Sequence, residues 1–281
     1  MVKRREFIRN VAAGTAATLA APTLWGTPLI TGHHDKFGDV LPKRVLGKTG
    51  EEVTIYCMGG AHVSYADSEK ESQAIIEKGM ELGIRYYENA WTYSKGWAEE
   101  LFGKYLVPKY RDQIFLATKN KGKTREDAQK QIEDSFRRMK CDVIDLYYIH
   151  EFRSVEDVDS RLDFGILELL LKEQQKGRIR HIGFTGHYNP ESHKHMVELV
   201  TGKDDPFAAI QVPVNPLDAA KPNSWIHEFL PIAVERNYGI TGMKGFAHGR
   251  FFEGNKDKWI NDDYIIPHHL SLEEVIWHNL S

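Results

Sequence analysis

Glu88, Tyr93, Lys119 and His150 are a carboxylate, a phenol, an ammonium and an imidazole, set near the ends of short apolar runs. Glu88 closes Ile84-Arg85-Tyr86-Tyr87-Glu88, Lys119 closes Ile114-Phe115-Leu116-Ala117-Thr118-Lys119, and His150 closes Ile144-Asp145-Leu146-Tyr147-Tyr148-Ile149-His150. Thirty-one residues separate Glu88 from Lys119, and another thirty-one separate Lys119 from His150. A strand–helix unit takes about 30 residues, so the three runs read as successive strands of one sheet, with the polar groups on one rim. A half-buried ammonium needs a partner, and Glu88 can supply it. An ammonium beside a phenol lowers the phenol's pKa from about 10, which predicts a Tyr93 able to act as an acid near neutral pH. His150 can hydrogen-bond a carbonyl oxygen and orient it. Together the four suit reduction of a carbonyl, with hydride reaching carbon while Tyr93 protonates oxygen.

Taken singly, each residue has an ordinary structural explanation: a hydrogen-bonded strand-end histidine, a packed tyrosine, an ion pair. Their placement on adjacent strands is what carries the catalytic reading.

The elements needed to position them are visible. Strand-like runs end near Gly60, Glu88, Lys119, His150, Gly186, Val214 and Gly245. Ser68 and Thr124 precede helical patterns bearing Ile75, Ile76, Met80 and Leu82, and Ile132, Phe136 and Met139. Further helical patterns run over residues 162–171 and 225–234. Strands alternating with helices at this spacing predict a parallel sheet, and 281 residues suit one (β/α)8 TIM barrel. The expected fold class is α/β, a barrel truncated before its eighth strand, because residues 270–280 have a helical pattern and no eighth strand run is visible. The alternative is a barrel open between its first and seventh strands. Residues 44–53 predict a small hairpin, turning at Lys48-Thr49-Gly50.

The expected organisation is a signal over 1–30, a linker over 31–42 and a barrel over 43–281. Lys3-Arg4-Arg5-Glu6-Phe7-Ile8-Arg9 followed by apolar residues 11–21 resembles a bacterial twin-arginine signal. The apolar stretch falls short of the ~20 residues of a spanning helix. This predicts export by the twin-arginine machinery, leaving the protein periplasmic or membrane-associated through an uncleaved signal. Hydrophobic residues make up 41%, enough for a core of this size. The net charge of −3 gives no basic footprint for nucleic acid. Lys119-Asn120-Lys121-Gly122-Lys123 reads as a solvated loop. Cys57 and Cys141 read as buried free thiols, and no cysteine spacing predicts a metal site.

From Pro42 to Ser281 the chain resembles the aldo-keto reductase family. Glu88-Asn89-Ala90-Trp91-Thr92-Tyr93 is similar to its Asp-x-Ala-x-x-Tyr segment, and the stretch from Gly96 to Gly103 to its Ser-Glu-Glu-x-Leu-Gly helix start. Asp145-Leu146-Tyr147-Tyr148-Ile149-His150, Ile179-Arg180-His181-Ile182-Gly183-Phe184 and Gln211-Val212-Pro213-Val214-Asn215-Pro216 follow in family order. Glu-Asn-Ala and Gly-Phe-Thr-Gly-His place the resemblance in an exported bacterial branch. It implies Tyr93 as acid, Lys119 and Glu88 as its tuners, and His150 as carbonyl orienter. It implies a nicotinamide cofactor, NADP(H) in preference to NAD(H), with Gln211, Thr185, Gly186, Met243 and Lys244 at the cofactor positions. No residue of the chain decides between the two cofactors. Gly186 stands where the family has Asn and offers no side chain. Met243 replaces an aromatic ring, and Lys244 follows it with charge for the cofactor's phosphates. Glu88 replaces Asp, so its extra methylene must rearrange the ion pair. His187 reads as loop packing, or else a second proton relay. Trp91, Trp97, Tyr188 and Phe246 read as rim aromatics.

Two other functions compete with an NAD(P)H-dependent reductase of an aldehyde, ketone or sugar. One is a metal-dependent sugar isomerase using Glu88 and His150 as ligands. The other is a catalytically weak cofactor-binding or sensor protein of the same fold.

Overall fold

The computed structural model describes residues 29–201, 204–247, 275, 276 and 279. The expected signal over 1–30 lies almost wholly outside them, as does most of the helical pattern at 270–280.

Seven parallel strands stand side by side in chain order: β1 (Cys57–Gly59), β2 (Tyr86–Glu88), β3 (Phe115–Asn120), β4 (Ile144–Phe152), β5 (Ile179–Gly186), β6 (Phe207–Pro213) and β7 (Gly239–Met243). The main helices between them are α1 (Glu69–Glu81), α2 (Trp97–Tyr105), α3 (Arg125–Met139), α4 (Val155–Asp163), α5 (Ile166–Gln175), α6 (Glu191–Val200), α7 (Trp225–Glu228) and α8 (Leu230–Glu235). This is the expected α/β barrel architecture, with seven strands among the described residues. The sheet curls far enough for β2 and β7, five positions apart, to meet. Tyr86 of β2, Tyr148 of β4 and Thr241 of β7 bring their hydroxyls within 3.3 Å of one another inside the curl.

Parallel strands are buried on both faces, which explains their near-continuous apolar runs. One face packs under the helices through Ile76, Phe102, Ile132, Tyr147, Phe184 and Phe207. The other fills the barrel interior with Tyr86, Phe115, Ala117, Leu146, Tyr148 and Ala209. Leu46 and Val53 seal that interior from the N-terminal end of the strands. They belong to the predicted hairpin, an antiparallel pair Lys43–Val45 and Glu52–Thr54. Its turn is pressed so close to β7 that a Cβ on Gly47 would sit 2.2 Å from Gly239 N.

Three helices start from reciprocal caps. Ser68, Thr124 and Ser154 accept from the N–H of Glu71, Asp127 and Asp157, whose carboxylates accept from Asp67, Lys123 and Arg153 N–H. Two expected helices are divided. The pattern at 162–171 straddles left-handed Gly165 (φ 85°), which separates α4 from α5. The pattern at 225–234 breaks at Phe229, between α7 and α8.

The stretch 31–42, expected to be an irregular linker, is instead folded onto the barrel. His34–Asp35 and Gly38–Asp39 pair as a tiny hairpin. Asp35 takes two hydrogen bonds from the buried Arg85 guanidinium, at 2.6 and 2.9 Å, and Phe37 packs edge-on against Tyr110. Its polarity serves an ion pair with Arg85, a partner fifty positions away that local reading does not reveal. The two cysteines are free but half-buried. Lys119 and Asn120 are buried strand residues, so the lysine run is not a solvated loop throughout. Among the described residues no helix is long and apolar enough to cross a membrane.

Candidate active site

The C-terminal ends of the strands bring the four chemistry-bearing residues together. Glu88, Lys119 and His150 are all buried, at 7%, 1% and 4% exposure. Lys119 Nζ has three protons and three acceptors: a Glu88 carboxylate oxygen, Asn89 O at 2.8 Å and Tyr93 Oη at 3.0 Å. The segment leaving β2 follows β3 past Glu88, since Asn89 N–H donates to Ala117 O and Trp91 N–H to Lys119 O. That continuation carries Tyr93 to Lys119. The loop then turns through left-handed Ser94 (φ 47°) and Lys95 (φ 58°), pinned by a 2.7 Å bond between the Ser64 and Ser94 hydroxyls. Two consecutive non-glycine residues in this region carry strain, here beside a reactive group.

The second Glu88 oxygen accepts from Gln211 Nε2 at 2.9 Å. The longer glutamate therefore spans from Lys119 on β3 to Gln211 on β6. Behind Lys119, buried Glu99 accepts from Thr118 and Ser135 hydroxyls at 2.7 Å each and pairs with Arg138, fixing β3 against α3.

His150 sits where β4 bulges, its register shifting between Ile149 and Phe152. Its carbonyl accepts from Arg161 Nη1 at 2.7 Å. The following Glu151 is left-handed (φ 63°), and its N–H donates to Thr185 Oγ1 at 2.9 Å. A bulge re-aims a side chain; here the His150 ring stands perpendicular to that of Tyr93, centroids 5.9 Å apart.

The electrostatics differ from expectation at Tyr93. Burial and the Glu88 charge raise its pKa above the ordinary value, and Lys119 offsets them only in part. The predicted net lowering is thus reversed, first because burial penalises the phenolate and then because the ion pair that brings the ammonium also brings a carboxylate. Burial works against the Lys119 ammonium, but Glu88 and Tyr93 outweigh it and hold its pKa up. Burial, then the Lys119 charge, pushes His150 well below 6.5, so it is neutral. The site accordingly holds a protonated phenol, a cationic lysine and a neutral imidazole at neutral pH.

The positions expected to hold a nicotinamide cofactor lie on the neighbouring strands. Thr185 and Gln211 are paired in register and buried. Thr185 accepts from Glu151 N–H and keeps its own proton to donate; Gln211 gives one N–H to Glu88 and keeps its amide oxygen. Gly186 is different. A Cβ there would lie 2.4 Å from His193 Cε1, so the buried His193 ring occupies the space of any side chain. Met243 ends β7, paired with Pro213. Lys244, half-buried and left-handed (φ 57°), has no ion-pair partner among the described residues, and burial lowers its pKa. An unpaired, partly buried ammonium fits an incoming phosphate. Thr185, Gln211 and Lys244 therefore suit such a cofactor, whereas Gly186 contributes no side chain.

Of the rim aromatics, Trp91 turns to α3, donating to Asp134 Oδ2 at 3.2 Å under Arg138, and Trp97 lies under Lys104. A metal at Glu88 has no support, because both carboxylate oxygens are already committed to Lys119 and Gln211. No group of three or more metal-ligating side chains occurs among the described residues. Sequence reasoning missed Asn89, Glu151 and Glu99 as partners of the site. Glu99 lay inside the family-like helix start, and Glu151 directly follows His150.

A parallel α/β barrel with an ion-paired lysine, a tyrosine and a histidine at its strand ends defines a class of oxidoreductase-like barrels. The aldo/keto reductase family profile matches residues 57–263, and the chain belongs to the aldo/keto reductase family. It is similar to a Schizosaccharomyces pombe protein named aldo-keto reductase yakc (NADP(+)), 29% identical over 160 residues, covering 52% of this chain and 45% of that one. It is 25% identical over 231 residues to the uncharacterized oxidoreductase YqkF of Bacillus subtilis, covering 77% of this chain and 68% of the relative. With most of the curated relatives it matches, the shared stretch spans about half of their length, as with the 44% of pyridoxal 4-dehydrogenase from Microbacterium luteolum. The holo form of an aldo-keto reductase from Bacillus halodurans shares the fold, with a TM-score of 0.65, 23% identity and coverage of 85% of this chain and 83% of that one.

Proposed function

We infer that the protein reduces the carbonyl group of an aldehyde, ketone or sugar, with NADP(H) as its cofactor. The observation that carries this reading is Lys119 Nζ donating to Tyr93 Oη at 3.0 Å while balanced by Glu88. A reduced nicotinamide supplies a hydride when bound. Thr185 and Gln211 would hold its amide and Lys244 its phosphates. His150, neutral, donates to the substrate oxygen and orients it. Tyr93 gives that oxygen its proton. The raised pKa keeps the proton in place before reaction, and the adjacent Lys119 stabilises the phenolate that remains. The name of the yakc relative supports NADP(H) over NAD(H).

The reading predicts NADPH oxidation with simple aldehydes. NADPH binding without turnover across aldehydes, ketones and sugars would favour the sensor reading, for which the missing side chain at Gly186 is the motive.

Export is part of the proposal. Its support is Arg4-Arg5 followed by the apolar residues 11–21, and the twin-arginine machinery would be the partner. Cell fractionation with Arg4 and Arg5 both changed to Lys tests it: export should stop, and unchanged distribution would sink it.

A further inference from the structure

Two imidazoles share the rim of this site. His187, the first residue after β5, places its ring 6.3 Å from that of His150, at 69°. On both rings Nδ1 is sealed from solvent and has no hydrogen-bond partner among the described residues. Buried polar atoms without partners are uncommon and costly, and two on neighbouring rings ask for an explanation.

Glu151 is the carboxylate best placed to serve His187, but it is already taken. It pairs with Lys121 and Arg153 and accepts from Tyr188 Oη at 3.1 Å. His187 is also ringed by positive charge. Burial, then Lys244, brings its pKa down to about 4 despite Glu151, with Lys119 and Lys121 adding to the effect. Both rings are therefore neutral, with one proton each. An orphaned buried N–H is rarer than an orphaned acceptor. The proton accordingly belongs on Nε2, the nitrogen that is not sealed, by assignment from the hydrogen-bonding pattern. Adjacent strand ends thus present two N–H donors, and no protein acceptor among the described residues claims either one.

The His150 ring neighbours two others, its centroid 5.9 Å from that of Tyr93 and 6.3 Å from that of His187. The reacting oxygen uses Tyr93 and His150. We propose that His187 donates Nε2–H to a second oxygen on the carbon next to the reacting carbonyl, so that the site selects carbonyl compounds oxygenated at the adjacent carbon. This inference rests on the reductase reading.

The test compares glyceraldehyde with propanal, each as substrate with NADPH, for the parent, His187→Phe and His187→Asn. The two aldehydes differ in intrinsic reactivity, so the variant-to-parent ratio is the measure. One hydrogen bond corresponds to about a ten-fold effect. His187→Phe should lose about ten-fold in kcat/KM on glyceraldehyde and less than about two-fold on propanal, and His187→Asn, which keeps a donor, should recover much of the loss. Equal losses on both aldehydes, or none on either, would overturn the assignment while leaving the reductase reading intact. A parent that oxidises NADPH with neither aldehyde would remove both. A second readout needs no cofactor. In spectra of 15N-histidine protein, glyceraldehyde should shift the His187 ring signals and propanal should not; unmoved signals with glyceraldehyde would overturn the inference even where reduction is seen.

Discussion

Gln211 donates its amide N–H to the Glu88 carboxylate at 2.9 Å, joining β6 to β2 across the barrel mouth. An aspartate in place of Glu88 would be a methylene shorter. It could reach Lys119 or Gln211 but would not span both as Glu88 does. The Glu88–Lys119 ion pair and Gln211 of β6 are thereby mechanically linked in this chain.

Neutralising Glu88 tests that link. Glu88→Gln leaves the Lys119 ammonium buried without its counter-charge, which costs about 3–5 kcal/mol when a buried pair is broken. It also removes a charge that raises the Tyr93 pKa. Reduction needs Tyr93 protonated, so activity is present below its pKa and lost as pH rises through it. The alkaline limb of kcat/KM should therefore move to lower pH in the variant. An unmoved limb would mean that Tyr93 is not the group titrating.

Gly186→Asn restores the residue type that the family resemblance expects, yet it should damage the protein. The new Cβ meets the His193 ring at 2.4 Å, and overpacking of this kind costs about 1–3 kcal/mol. The chemical-denaturation midpoint should fall. Adding His193→Ala should give back part of the loss; a stable single variant would show that the His193 ring yields easily.

His193 also predicts an acid sensitivity. Its ring is fully buried among Phe152, Phe184, Trp225 and Phe229, and burial lowers its pKa to about 3. A histidine lowered from about 6.5 favours the folded state above that value and loses the contribution as pH falls. Between about pH 7 and about pH 5 this single group removes about 2 kcal/mol of stability. His150 and His187 act in the same direction. His193→Phe should flatten the slope of unfolding free energy against pH by about one proton in this window. An unchanged slope would show that His193 is not neutral and buried as described.

The legible parts of this protein were those written in local pattern. The strand end at Glu88 and the caps at Ser68 and Thr124 depend on neighbouring residues, and the structure keeps them; the strands read as ending at Lys119 and His150 run on to Asn120 and Phe152. The Glu88–Lys119 pair was legible from the spacing of adjacent strands. What escaped depends on residues far apart in sequence. Asp35 looked like linker because Arg85 was out of view. The Tyr93 pKa was misjudged because the ammonium was weighed without the burial of the phenol and the carboxylate beside it. The bulge at His150 and the left-handed Glu151 have no signature in an otherwise regular apolar strand. His187 read as loop packing or a second proton relay; the closeness of its ring to His150 exists only in three dimensions.

Tyr93→Phe removes the proposed proton donor, and its kcat/KM for NADPH-dependent carbonyl reduction is to be read together with its NADPH dissociation constant. Loss of a positioned proton donor costs about 10²–10⁴-fold. The rate should fall by about that factor, with cofactor affinity unchanged within about two-fold. A variant that keeps most of the parent's rate while binding NADPH normally would contradict Tyr93 as the proton donor.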